Sequence, residues 1–244
     1  MKMDKTQLFL QFFIVLLLAH LLGDFVCQPA FLIKKKDKWY WRLLHSFIHA
    51  LLVYLLLGKW TLWLIPIIIL ITHYLIDWGK NSLKQKKVAG FSLDQGLHLL
   101  VLLGLTIVIC SKDISAPIWI NWLSPFLWNI AVLVCAVILL IPCGGIFIGL
   151  FMEPLRQQIG TPVKGLKEGG KLIGYLERLL ILAFVLVNQF AGIGFLVAAK
   201  SIFRFSEIKE NNDRKEAEYI IIGTFASFLY AIIISWAASS IMIK

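Results

Sequence analysis

Charge is what this chain has least of. Only 16% of its 244 residues are Asp, Glu, Lys or Arg, while 59% are hydrophobic, and the mean hydropathy is +0.83. No ordinary soluble domain carries such a balance on its surface, so an integral membrane protein is expected. Cysteine is also sparse: Cys27, Cys110, Cys135 and Cys143 stand at no metal-like or redox spacing, which leaves them as small buried hydrophobes in or beside apolar segments. Strand-like alternation is missing from the apolar runs, which excludes a barrel and leaves helices as the spanning element. Neither an internal repeat nor a low-complexity linker interrupts them. A cleavage site of small residues is lacking after the first run, "QLFLQFFIVLLLAHLLGDFV", and that run carries His20 and Asp24; it is expected to stay as a span rather than leave as a signal peptide.

What the chain has instead is a series of long apolar runs, at about 7–28, 41–58, 60–79, 93–110, 126–150, 172–199 and 218–240, each near or above the length of about 20 helical residues that crosses a bilayer. The tight "GKW" at 58–60 joins the second to the third, and Pro66 falls where a helix start tolerates it. "SLDQ" at 92–95 has the form of a capping box, with Ser92 as N-cap and Gln95 three residues on. The net charge of +10 resides in short loops between these runs, where topology and anionic headgroups account for it. Membrane lipids are therefore the expected partners, and nucleic acid is not. Most short-loop lysines lie in "KKKDKWYWR" (34–42) and "KNSLKQKK" (80–87), which places both loops in the cytoplasm and the amino terminus outside.

Farther along, alternation breaks down. The loop 151–171 and the charged stretch 204–216 both read as cytoplasmic, yet one apolar run separates them. A segment broken near "NQFAGIG" (188–194), re-entering and returning, resolves the conflict; a single crossing with a charged external loop is the alternative.

Against this apolar background the five histidines, His20, His45, His49, His73 and His98, are conspicuous by position. All fall in four i, i+4 pairs: "HLLGD" (His20, Asp24), "HSFIH" (His45, His49), "HYLID" (His73, Asp77) and "DQGLH" (Asp94, His98). That spacing puts two side chains on one helix face with β carbons about 5–6 Å apart, a chelating geometry. With the first and third helices running inward and the second and fourth outward, every pair lies roughly 3–12 Å below the cytoplasmic helix ends. An aspartate within a membrane helix costs about 2.5–3.5 kcal/mol, so three of them beside five imidazoles require a compensating partner, and a cation is one. Interhelical hydrogen bonds that merely fasten the bundle are the other reading of each pair.

Mixed imidazole and carboxylate donors, eight in number (His20, Asp24, His45, His49, His73, Asp77, Asp94 and His98), suit divalent transition metals, two ions rather than one, with zinc first and manganese or iron as alternatives. A cluster with spare ligands leaves positions open for water and substrate, and two ions about 3.5–4 Å apart suit hydrolysis of a phosphoester. Asp24, Asp77 and Asp94 are the candidates for a general base or for orienting a histidine.

At these residues the chain resembles an uncharacterised bacterial membrane-protein family, a domain of unknown function marked by "HLLGDFVCQP", "HSFIH", "HYLIDWGK" and "DQGLH" over roughly the first 100 residues. It is similar, more distantly, to inner-membrane metal-dependent hydrolases under DNA-damage control, which are grouped in turn with zinc-dependent phospholipase C. The resemblance implies a metal-dependent hydrolase of the bacterial inner membrane. Its departures from the phospholipase pattern are the lack of an amino-terminal tryptophan ligand and of a secreted domain. "GYLERLL", "NQFAGIGFLVAAKSIFRF" and "EYIIIGTFAS" also look like companions of this domain.

Lys80 and Arg42 flank the pairs as candidates for a substrate phosphate, each weighed against a snorkelling role at the boundary. Gln28 and Gln95 are candidate supporting donors. Glu177 and Arg178 interrupt an apolar run, adjacent and pointing apart, so each requires its own partner. Lys200, Arg204 and Glu207 form either a helix-end charge cluster or a headgroup clamp, and Trp39, Trp41, Trp60, Trp63 and Trp78 form an interfacial belt. The expectation is an all-α polytopic transmembrane bundle of about seven segments. Residues 1–110 form a four-helix metal-site domain, and 111–244 a C-terminal membrane region with a broken or re-entrant helix near 188–194. The function expected is a membrane-embedded phosphoesterase on a lipid or lipid-linked substrate. A metal transporter or sensor and a non-catalytic scaffold are the rival classes.

Overall fold

The computed structural model describes residues 5–28, 38–83, 88–112, 117, 124–159, 168–205 and 211–243. Among them there is no strand. Nine α-helices follow one another among the described residues: α1 (Lys5–Leu21), α2 (Trp39–Leu57), α3 (Leu64–Leu83), α4 (Val88–Cys110), α5 (Ser124–Ile138), α6 (Gly144–Ile159), α7 (Gly169–Leu186), α8 (Phe190–Phe205) and α9 (Asn211–Ile241). A π-helical turn, Leu22–Val26, extends α1, and a second, Leu139–Cys143, joins α5 to α6.

Among the described residues six stretches are long and apolar enough to cross a membrane: Lys5–Val26, Trp39–Leu57, Trp60–Lys80, Val88–Cys110, Phe126–Ile159 and Arg214–Ile241. The protein is an all-α, multi-pass membrane protein. The run expected at 172–199 is the exception. It carries Glu177 and Arg178 and breaks after Leu186, where Asn188 adopts φ 56°. Two helices, α7 and α8, result, packed against each other. Ser92 is not an N-cap: with no proline between Val88 and Ser92 to stop it, α4 extends a turn further back. All of 34–37 and 84–87, part of 152–170, and Glu207 with the Arg204 side chain lie outside the described residues.

The chain divides into two compact units, residues 1–135 with 243–244, and residues 136–242. In the first, α1 packs against α2 and α4, and α3 against the same two, closing a ring of four helices. Gly58, left-handed at φ 59°, ends α2 and turns the chain into the single 3-10 turn Trp60–Leu62 before α3. Each helix buries one stripe of residues four apart: Phe12, Leu16 and His20, leading to the less fully buried Asp24; His45, His49, Val53 and Leu57; Ile65, Ile69, His73 and Asp77; Asp94, His98, Leu102 and Thr106. A four-residue step overshoots one 3.6-residue turn only slightly, so each series stays on one face. At one end of the ring the stripes are apolar, forming a core of Phe12, Leu16, Val53, Leu57, Ile65, Ile69, Leu102 and Leu105 among others. At the other end the same stripes become imidazole and carboxylate.

In the second unit α9 packs against α6 and α7. Pro142 sits inside the π turn, and the carbonyls of that turn are taken by side chains: Tyr230 Oη donates to Leu139 O at 2.8 Å, and Arg178 Nε donates to Leu140 O. Arg178 also donates to Ser227 Oγ at 2.9 Å and lies over the Tyr175 ring. Glu177 turns the other way and pairs with Lys200 at 2.8 Å. The two adjacent charges thus have separate partners, as their opposed directions require.

Candidate metal centre

The last turns of α1 and α3 meet the first turns of α2 and α4, so the four helices alternate in direction and their polar stripes share one end. The structure brings all eight expected donors together there. Three groups have donor atoms within 4.8 Å of one another: Asp24, His45, His49 and His73; His20, His73 and His98; Asp77, Asp94 and His98. His73 belongs to the first two groups and His98 to the last two, so the three groups form one connected cluster.

The first group has the spacing of a coordination shell. Asp24 Oδ1 lies 3.0 Å from His45 Nε2, 3.2 Å from His49 Nε2 and 3.7 Å from His73 Nε2. Ligands about 2.1 Å from a tetrahedral ion stand about 3.4 Å from each other, a separation that these three distances bracket. The His49 and His73 rings stack at 3.7 Å between centroids, and His73 and His98 at 4.1 Å. Asp77 Oδ2 is 3.9 Å from both His45 Nε2 and His73 Nε2, and Asp94 Oδ1 is 3.8 Å from His98 Nε2.

The donor set fits a metal on a further count. His49 Nε2, His73 Nε2, His98 Nε2 and Asp94 Oδ1 are buried without a hydrogen bond, a costly state for polar atoms unless a cation takes their lone pairs. A void of about 10 Å³ adjoins His20, His49, His73 and His98, about the space that one water-sized particle needs.

Supporting contacts hold the donors. Gln95 is not a helix cap: its Nε2 donates to Asp24 Oδ2 at 3.1 Å and Asp94 Oδ2 at 3.3 Å, and its Oε1 lies 3.3 Å from His20 Nε2. Lys80 Nζ pairs with Asp94 Oδ2 at 2.6 Å, so it is bound to the cluster rather than only snorkelling. Arg42 is buried over the Tyr74 ring at 5.5 Å.

Two features escaped sequence reading. The π turn at Leu22–Val26, closed by Cys27 N donating to Leu22 O at 2.7 Å, adds a residue to the helical repeat beneath Asp24, a device common at functional sites. Gly23 is the second: a β carbon there would overlap the His49 imidazole. The available signal was a glycine inside a helical run, which needs a packing reason because it costs about 1 kcal/mol against alanine. Nor are all the cysteines buried hydrophobes: Cys135 and Cys143 are, but Cys27 is exposed where it closes the π turn, and Cys110 is half-buried at the end of α4.

A family model described as a protein of unknown function, DUF3307, matches residues 12–139, just over half of the chain. The chain belongs to the DUF3307 family. The match runs from the middle of α1 to the end of α5 and includes every donor of the cluster, reaching farther than the first 100 residues that carry the motifs. No curated protein and no solved structure matches this DUF3307 protein.

Proposed function

We propose that the first unit is a metal-dependent hydrolase, acting on a phosphoester in a lipid or lipid-linked substrate at the cytoplasmic leaflet of a bacterial inner membrane. The observation that carries this reading is the surplus of donors: eight imidazole and carboxylate side chains in one linked cluster, twice what a closed four-coordinate site uses. Two divalent ions, zinc first and manganese or iron as alternatives, would supply electrophilic charge and activate water there. Asp24, at the focus of three imidazoles, serves as a ligand. Asp94 is held from one side by Lys80 and Gln95 and keeps Oδ1 toward the cluster, which fits it to accept a proton from attacking water. Gln95 orients Asp24 and His20.

Transport is less well supported, because beyond the imidazoles the interior is mostly apolar, with Val53, Leu57, Ile65, Ile69, Leu102 and Leu105; Gln11 and Thr106 are buried there too, but the Thr106 hydroxyl is spent on the Leu102 carbonyl, and a pathway would need a continuous polar lining. A packing scaffold would satisfy its own hydrogen bonds, and this cluster leaves four imidazole nitrogens, His45 Nδ1 and the Nε2 atoms of His49, His73 and His98, without one.

The test is metal analysis of the purified protein, paired with hydrolysis assays on phosphate-containing lipids. Wild type should hold about two equivalents of transition metal, and His45→Ala and His73→Ala should each lower that content. Asp24→Asn should remove most of the hydrolysis. Wild-type protein free of transition metal, with content unaffected by either histidine variant, overturns the metal reading; full hydrolysis by Asp24→Asn overturns the catalytic one.

A further inference from the structure

Between α3 and α4 a groove of about 310 Å³ runs beside the cluster, a volume at the lower bound of small-molecule sites. Its position is set by sequence. Gly79 and Gly90 lie near the helix ends and open it, while Leu75 on α3 and Leu97 on α4 wall its deeper part. Leu75, Leu93 and Leu97 are exposed on the outside of the helix ring, so this wall is continuous with the surface that meets acyl chains. From Gly90 to Leu97 the groove extends about 10 Å along the helix. Its two charged lining residues, Lys80 and Asp94, are ion-paired with each other.

Asp94 belongs to both places. It lines the groove, it is buried, and its Oδ1 is one of the orphaned acceptors of the cluster. The Lys80 side chain is 36% exposed and directs one of its three ammonium donors to Asp94 Oδ2, so the ammonium at the mouth has donors left for a further anion. An apolar wall leading to the half-exposed Lys80 ammonium near the helix ends matches a molecule with an apolar body and an anionic head. A free phosphate would gain nothing from the leucines.

Resting on the hydrolase reading above, we propose that the α3/α4 groove is the lateral access route by which an anionic phospholipid brings its phosphate from the bilayer to the Asp94 side of the cluster, with Lys80 as the headgroup receptor. The chains stay among Leu75, Leu93 and Leu97, and the phosphate lies at the level of Lys80. No other step of the reaction is assigned to the groove.

The experiment uses the full chain in lipid vesicles that contain a phosphatidic acid bearing a photoactivatable diazirine in one acyl chain, with adducts located by peptide mapping and metal content measured on the same preparation. Adducts are expected on residues 75–80 and 90–97. Lys80→Ala should reduce them about tenfold while Lys80→Arg retains them, as loss of a charge-assisted contact implies. Leu97→Trp should block labelling at wild-type metal content. A diacylglycerol carrying the same diazirine, without the phosphate, should label the groove weakly. Even labelling over all outward-facing leucines, labelling indifferent to Lys80→Ala, or equal labelling by the diacylglycerol overturns the proposal. Groove labelling in protein that binds no metal retains the lipid site and removes the hydrolase, whereas metal-loaded protein with even labelling does the reverse.

Discussion

Gly23 shows how one residue without chemistry sets the chemistry of its neighbours. It lies in the π turn of "HLLGD", and the space that its missing side chain leaves is filled by the His49 ring, which is itself stacked on His73. That ring cannot swing aside, because His45 and His73 flank it at 4.6 Å and 3.7 Å between centroids. Gly23→Ala therefore has two opposed effects, a gain in helix propensity of up to about 1 kcal/mol and an overpacking cost of about 1–3 kcal/mol, and the second prevails at the imidazole. The expected result is a metal affinity lower by about 10–100-fold, as displaced supporting contacts generally produce, with the protein still folded. Gly104→Ala is the control, since a β carbon there meets nothing within 4 Å. Competition with a chromophoric chelator reads both; an affinity unchanged by Gly23→Ala would remove His49 from the ligand set.

At the scale of elements, the i, i+4 rule was enough to pick out the eight side chains that cluster, because a periodic stripe that passes from leucine to histidine is visible in sequence. His73 and Asp77 continue Ile65 and Ile69 without a change of step. What was not legible were departures from the helical repeat. The π turns at Leu22–Val26 and Leu139–Cys143 leave no pattern in hydrophobicity, since a residue inserted in a lipid-soluble run is also lipid-soluble. Gln95 was misplaced for a related reason: serine followed three residues later by glutamine is a cap only where a helix begins, and α4 begins at Val88. The second π turn has a measurable consequence. Its Leu140 carbonyl is satisfied by Arg178, whose fork also reaches Ser227, so Arg178→Met strands a buried acceptor at a cost of about 1–3 kcal/mol. Thermal unfolding in detergent should show a lower midpoint for Arg178→Met, with metal content unchanged because the donors all lie in the first unit. Arg178→Lys should recover only part of the loss, as an ammonium lacks the planar fork. An unchanged midpoint would mean that the π-turn carbonyl finds another donor.

For the whole molecule the decisive property is orientation, and the protein carries its own reporters of it. The ring of α1–α4 has a polar end, where α1 and α3 finish, and an apolar end, where α2 and α4 finish. Exposed tryptophans mark both: Trp39 and Trp78 at the polar end, Trp60 and Trp63 at the other, as a span with two interfaces requires. In sequence, the lysine excess of 34–38 and 80–87 precedes α2 and follows the donors of α3, so the positive-inside rule predicts a cytoplasmic cluster. Cys27 follows the π turn at that end and is exposed, whereas Cys110 closes α4 at the opposite end and is half-buried; Cys135 and Cys143 are buried. In a bacterial host, a membrane-impermeant maleimide should leave Cys27 untouched in intact cells and modify it in inside-out vesicles, and Cys110 should react, more slowly, in the reverse pattern. Cys27→Ser and Cys110→Ser identify the two signals. Modification of Cys27 from outside the cell would invert the molecule, placing the cluster at the outer leaflet and requiring any lipid substrate to be drawn from that side.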